Sequence, residues 1–100
     1  MQTRWQSNKL AQAHFRRCDE LRREIARLTS MLSAFEKTRD ELKAELDVTR
    51  GDGLTALQAR YDLRQQIIRC MKHLNGLVSR CTRARLKLHR LEAEYQTNCF

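Results

Sequence analysis

The sequence predicts an all-α fold, a long antiparallel helical hairpin made of two amphipathic heptad helices. The 100 residues contain no proline and only three glycines, and two of these, Gly51 and Gly53, lie at the midpoint. Charged residues make up 32% and aromatic residues 6% of the chain, a composition that suits amphipathic helices better than a turn-rich β fold. Apolar residues recur at alternating spacings of three and four on both sides of the midpoint, which is the heptad pattern of paired helices.

The first helix is predicted over about 9–50. We expect residues 1–9, which are mostly polar, to fray or to form a weak first turn. The seam is apolar except at His14 and Arg39, and we expect the Arg39 guanidinium to reach outward to Asp40 or Glu36. Its heptad positions a are Ala11, Cys18, Ile25, Leu32, Arg39 and Leu46, and its positions d are His14, Leu21, Leu28, Phe35 and Leu42.

The turn is predicted at 50–53 and the second helix over about 54–96. Gly51 can take the left-handed conformation that ends a helix, and Asp52 is suited to cap the next one. Arg60 at a seam position is interpreted, like Arg39, as a residue that penalises wrong alignments. The a positions are Arg60, Ile67, Leu74, Cys81, Leu88 and Tyr95, and the d positions are Ala56, Leu63, Cys70, Leu77, Ala84 and Leu91.

The first half of the second helix is apolar beyond its seam. One helix covers only one stripe of its partner, so a hairpin leaves a second stripe exposed, and such a surface marks an interaction site. Burial against a twofold copy would give a four-helix bundle or coiled coil, so we expect a homo-oligomer and favour a dimer. The residues predicted for self-association are Leu57, Tyr61, Ile68, Met71, Leu74 and Val78.

The charge is unevenly distributed. The net charge is +8, and a hairpin pairing gathers basic residues at its open end while the first helix is acidic near the turn. The basic residues are Arg16, Arg17, Arg22, Arg23, Arg80, Arg83, Arg85, Lys87 and Arg90. They could meet an acidic protein surface or the phosphates of nucleic acid. Aromatic residues are not interleaved with them as single-strand binding requires, and no helix-turn-helix, zinc-finger or basic-zipper signature is present.

Neither a cofactor nor a metal is predicted. His14 with Cys18 and Cys70 with His73 have helical spacings that can chelate zinc, but the sequence contains no Cys-x-x-Cys motif, and Cys18, Cys70 and Cys81 occupy seam positions. We interpret these cysteines as reduced core thiols and His14 as a seam histidine. No phosphate loop, nucleophile elbow or carboxylate pair on an apolar face is present, so we expect no catalysis and no small-molecule substrate.

The sequence analysis therefore predicts one helical-hairpin domain over 1–100. No apolar run is long enough to span a bilayer and no signal-peptide core is found, so we expect an intracellular chain, cytoplasmic or nuclear, without a membrane partner. The predicted function is that of a non-enzymatic oligomeric coiled-coil protein, a structural or adaptor subunit that binds other protein subunits. The alternative is a nucleic-acid-binding helical oligomer that uses its arginine-rich open end.

Overall fold

The structure is a computed structural model that describes the backbone of residues 4–98 and the side chains of residues 8–95. Two α-helices, α1 (Arg4–Val48) and α2 (Leu54–Asn98), pack against each other as a hairpin. No strand forms within the described residues. The predicted all-α helical hairpin is therefore confirmed.

The helix boundaries differ from the prediction by a few residues. α1 begins at Arg4, within the stretch expected to fray, because no glycine or proline interrupts the helix there. At the other end α1 stops at Val48, before the predicted end near residue 50. Just beyond this end the backbone N and the Oγ1 of Thr49 still donate to the carbonyl of Glu45, at 3.0 and 2.7 Å. The helical path stops before Gly51, whose φ is positive.

The turn uses its two glycines differently. Gly51 has a φ of 126°, a positive value that only glycine adopts at low cost, as the sequence predicted. The capping role predicted for Asp52 is wrong by one residue. The carbonyl of Gly53 accepts the first backbone hydrogen bond of α2, from the N–H of Leu57 at 3.0 Å, so Gly53 holds the N-cap position. Arg60 then donates from Nη2 to the carbonyl of Gly51 at 2.6 Å.

The described chain divides into two compact units. The turn unit comprises residues 29–79, and the open-end unit combines residues up to 28 with those from 80 onward. In the turn unit the buried residues all come from the α2 seam, and α1 supplies half-buried seam residues such as Leu32 and Phe35. The buried residues of the turn unit are Leu63, Ile67, Cys70, Leu74 and Leu77.

The core of the open-end unit draws on both helices. α1 contributes Cys18 and Leu28, the two side chains with the least exposure in the described chain, and α2 contributes Cys81 and Ala84. At the outer edge of this unit the His14 ring stacks on the Tyr95 ring with 4.7 Å between centroids. The seam histidine is thus packed on an aromatic ring rather than left in solvent.

Burial follows the predicted heptads throughout. Every predicted a and d residue from Ala11 to Leu46 and from Ala56 to Tyr95 is buried or half-buried. Arg39 turns its guanidinium toward Asp40, with Nε 3.1 Å from Oδ1, as expected. Cys18, Cys70 and Cys81 are buried in the seam as thiols, as predicted, while Cys99 lies outside the described residues.

Among the residues that the structure describes, neither helix contains a segment apolar enough over sufficient length to cross a bilayer.

Candidate interaction surfaces

The second apolar stripe predicted on the second helix is exposed, and it lies on α2 in the turn unit. We refer to its apolar members as the α2 stripe: Leu57, Tyr61, Ile68, Met71 and Val78. These side chains are between 44% and 57% exposed. Burial of a large apolar side chain is worth about 1.5–3 kcal/mol relative to full exposure. The turn unit therefore retains an apolar surface that the hairpin does not use.

Helical geometry explains why α1 cannot cover the α2 stripe. The stripe residues fall on heptad positions e and b, whereas the hairpin seam uses a and d. At 3.6 residues per turn these two pairs of positions are centred about 100° apart around the helix. One neighbouring helix covers only one of them. The e and b positions of α2 thus form a second row beside the seam. Between Tyr61 and Val78 the two other members of this row are Arg64 and Asn75, both exposed.

Leu74 differs from the other residues predicted for self-association. Its side chain is only 5% exposed, because it is at an a position and packs inside the hairpin. Leu74 therefore supports the fold of the turn unit and does not contribute to the exposed surface. The remaining five predicted residues form the α2 stripe.

The two helices of the turn unit carry opposite charge. The acidic residues predicted near the turn are all exposed on α1, where they outnumber Lys37, Arg39 and Lys43: Glu36, Asp40, Glu41, Glu45 and Asp47. α2 carries Arg60, Arg64, Arg69 and Lys72 in the same unit, with Asp62 as its acidic residue. The apolar stripe is thus on the basic helix and beside the acidic one.

The nine predicted basic residues lie together in the open-end unit, and all nine are exposed. We refer to them as the basic cluster: Arg16, Arg17, Arg22, Arg23, Arg80, Arg83, Arg85, Lys87 and Arg90. The hairpin brings the four members on α1 and the five on α2 into one unit, as the sequence predicted. This cluster is the second candidate surface.

Arg22 is held within the chain by two carboxylates. Its Nη1 donates to Asp19 at 3.0 Å and its Nη2 to Glu92 of α2 at 3.1 Å. Loss of solvation lowers the pKa of Arg22. The hydrogen bonds to Glu92 and Asp19 and the charges of these two carboxylates together have the larger effect, so the pKa of Arg22 is raised above its ordinary value. The guanidinium therefore stays charged at any working pH and its hydrogen bonds are directed at its own chain.

Acidic residues also intrude into the groove beside the basic cluster. One part of this groove is lined by Arg17, Glu20, Leu21, Glu24 and Lys87. The adjoining part shares Leu21, Glu24 and Lys87 and adds Arg80, Arg83 and Ala84. Glu20 and Glu24 would repel a phosphate placed here. A groove with both signs of charge suits a protein surface that also carries both signs.

An aromatic cluster in the open-end unit did not emerge from the sequence. Phe15 is 5.1 Å from the Tyr95 ring and 5.9 Å from the His14 ring, measured between centroids. Phe15 is at an outward heptad position and is half exposed. The signal that could have revealed the cluster is the hairpin register itself, which brings residue 95 within about one helical turn of His14 and Phe15.

The histidine–cysteine pairs do not assemble further in the described chain. His14 Nε2 lies 3.5 Å from Cys18 Sγ, one turn away on α1. His73 instead stacks on Phe35 with 5.4 Å between centroids, and Cys70 donates its S–H to the carbonyl of Phe35. Within the described residues no group of three or more His, Cys, Asp or Glu side chains is placed to hold a metal ion.

Comparison with known proteins assigns the chain to no family: no protein-family model matches it, and neither a curated protein nor a solved structure is similar to it.

Proposed function

We propose that this chain is a non-enzymatic, self-associating helical protein that serves as a structural or adaptor subunit of a larger protein assembly within the cell. The single observation that carries the proposal is the α2 stripe, five large apolar side chains left half exposed on one face of the turn unit. Exposed apolar surface of this kind is typical of protein–protein interfaces. Three buried cysteine thiols that are not joined as disulfides are typical of a reducing, intracellular environment.

A coiled-coil dimer is the form of self-association that the heptad spacing favours. Together with Arg64 and Asn75, the stripe residues recur at alternating spacings of four and three, as the hairpin seam does. A second helix can therefore pack along the stripe just as α1 packs along the seam. The basic cluster, with Glu20 and Glu24 among its neighbours, supports a further contact with acidic regions of other protein subunits.

The proposal is tested by the mass of the purified chain in solution. Sedimentation equilibrium should give twice the chain mass of 11.9 kDa. The double variant Ile68→Glu/Met71→Glu places two charges in the stripe, and we expect it to sediment as a monomer with its helical circular dichroism retained. A monomeric wild-type chain at about 100 μM, far above the Kd of a stable dimer, would disprove self-association.

A matched control separates the stripe from exposed apolar residues in general. Met31 on α1 and Leu86 on α2 are exposed to a similar degree but lie outside the stripe. The variant Met31→Glu/Leu86→Glu makes the same two chemical changes and should remain dimeric. If both double variants dissociate equally, the interface is not the α2 stripe.

A second candidate function is nucleic-acid binding by the basic cluster. It is supported by the gathering of nine exposed basic side chains in one unit. Arginine-rich helices neutralise phosphates and release counterions, which gives binding that is strong at low salt. The carboxylates in the groove and the engagement of Arg22 by Asp19 and Glu92 favour the protein-binding proposal over this one.

A further inference from the structure

We propose that two copies of the chain pair through their α2 stripes in an antiparallel arrangement whose twofold axis passes midway between residues 69 and 70. This inference rests on the self-association proposed above and specifies its partner and register. It depends on the order of polar and apolar side chains along the second row of α2. It also depends on which residues of α1 lie beside the proposed axis and on their charges.

The second row of α2 has the same pattern in both directions. From Tyr61 to Val78 it runs apolar, polar, apolar, apolar, polar, apolar. Tyr61 and Val78 are equally far from the midpoint, as are Arg64 and Asn75, and Ile68 and Met71. A twofold axis through that midpoint brings each of these residues opposite its counterpart in the second copy. Between Tyr61 and Val78, apolar side chains then meet apolar ones and polar side chains meet polar ones, as a self-complementary interface requires. Leu57, at the end of the stripe, comes opposite Thr82.

The polar layer determines the alignment. In this register the Arg64 guanidinium can donate a hydrogen bond to the side-chain oxygen of Asn75 in the second copy. The pair occurs twice because of the symmetry, once on each side of the Ile68–Met71 centre. A single polar layer in an apolar seam reduces stability but selects register and orientation. Arg64 and Asn75 would have this role in the dimer.

Other antiparallel registers match the side chains less well. A slip by one heptad toward the turn sets Arg64 against Ile68 of the second copy and Asn75 against Leu57. Each polar group would then be desolvated without a hydrogen-bond partner, which is unfavourable. A slip by two heptads in the same direction pairs Tyr61 with Arg64 but leaves Val78 in solvent. The register centred between residues 69 and 70 is the one that covers Val78 and pairs both polar residues.

The charges on α1 are compatible with the same axis. The hydrogen bond from Cys70 Sγ to the carbonyl of Phe35, at 3.2 Å, shows that residue 35 of α1 is level with residue 70 of α2. On α1 the positions e and b around that level are Thr29, Ser33, Glu36 and Asp40. The axis then crosses α1 between residues 35 and 36. Among these positions Ser33 comes nearest to Glu36 of the second copy and Thr29 nearest to Asp40, each pair offset by about 3 Å along the helix, so hydroxyl groups approach carboxylates. The one-heptad slip would instead bring Glu36 nearest to Asp40, where like charges repel.

The register is tested by disulfide trapping in the whole 100-residue chain. The variant Tyr61→Cys/Val78→Cys is prepared in a Cys99→Ser background, in which the other three cysteines are buried. Diamide, which takes up the two hydrogens of each thiol pair, oxidises the dimer, and peptide mass mapping identifies the linked residues. We expect a covalent dimer with residue 61 joined to residue 78 of the second copy, because only facing positions bring the Cα atoms within about 4.4–6.8 Å.

A control pair occupies the opposite face of α2. Asp62 and Gly76 share heptad position c and are almost symmetric about the same midpoint. The variant Asp62→Cys/Gly76→Cys should give no covalent dimer under the same conditions. Equal trapping of both pairs would indicate random collision and would overturn the proposed register.

The outcomes separate this inference from the proposed function. Linkage of residue 61 to residue 61 would indicate a slipped antiparallel register, or a parallel pairing if residue 78 also links to itself, and either result overturns the inference. A chain that sediments as a dimer but gives no link between residues 61 and 78 also overturns it, while self-association stands. A monomeric wild-type chain removes both proposals.

Discussion

Arg39 and Arg60 illustrate two ways in which a helical seam accommodates a charged residue. Arg39 keeps its stem in the seam and directs Nε to Asp40, its neighbour in sequence. Arg60 instead donates to the carbonyl of Gly51 across the turn at 2.6 Å. The first contact was predicted because its partner is local. The second could not be predicted, because its acceptor is a backbone carbonyl whose position depends on the conformation of the turn.

At the residue scale, Leu28 is expected to be among the most sensitive positions. Its side chain is 0% exposed and sits in the core of the open-end unit. Leu28→Ala should lower the free energy of unfolding by about 2–5 kcal/mol, because it removes buried methyl groups and leaves a cavity. Urea unfolding followed by circular dichroism at a fixed chain concentration measures the change.

Met31 provides the control for Leu28. It lies less than one turn further along α1 and is 39% exposed. Met31→Ala should cost less than about 1 kcal/mol, because little apolar area is returned to water. Equal costs for the two variants would mean that Leu28 is not in the core.

At the scale of the helices, the heptad pattern predicted the pairing because its cause is local and repeated. Each seam position is apolar for the same reason, so single exceptions such as His14 do not change the register. The helix ends were predicted less well, since each depends on a few hydrogen bonds. α1 ends at Val48, shortly before the positive φ of Gly51, and Gly53 takes the cap position that Asp52 was expected to hold.

A prediction at the same scale concerns the turn. Gly51 has a φ of 126°, and a Cβ added there would lie 3.3 Å from the Cβ of Ala56. Gly51→Ala should therefore destabilise the chain by about 1–2 kcal/mol, since a side chain is strained at positive φ. Thermal and urea unfolding of the purified variant would measure this loss.

Gly76 is the matched control, with the opposite expected sign. It is in the middle of α2, and a Cβ added there would meet nothing within 4 Å. Gly76→Ala should stabilise the chain by about 1 kcal/mol, because alanine favours a helix interior more than glycine does. A stabilising effect of both substitutions would show that the turn does not require glycine at residue 51.

At the scale of the whole molecule, the two candidate surfaces lie in different units and differ in chemistry. The α2 stripe is apolar and belongs to the turn unit, and the basic cluster is charged and belongs to the open-end unit. The sequence predicted both, since burial follows from heptad position and charge from residue type. It did not separate Leu74 from the stripe. Leu74 is apolar and lies between the seam and the second row, so only its packing against α1 shows that it belongs to the seam.

The prediction at this scale concerns DNA binding by the basic cluster. We expect labelled duplex DNA to bind the chain weakly and to be released between roughly 50 and 200 mM salt, since the attraction is a general effect of the net charge. Fluorescence anisotropy across a salt series measures the slope. Binding that persists at the upper salt concentration would instead support the nucleic-acid candidate.

Two glutamate variants locate the effect. Glu20→Gln/Glu24→Gln removes the carboxylates that line the groove and should strengthen DNA binding. Glu36→Gln/Glu41→Gln makes the same change in net charge on α1 of the turn unit and should strengthen it less. If the two variants behave alike, net charge alone accounts for the binding and the groove has no special part in it.

The buried thiols also make the hairpin a reporter of its own opening. Cys70 lies in the turn unit, and Cys18 and Cys81 lie in the open-end unit, all of them shielded by the partner helix. An alkylating reagent can react with each thiol only while the helices around it are apart, so its labelling rate measures a local opening free energy. Mass mapping of the labelled chain would thus compare the unfolding of the two units through residues that the chain already contains.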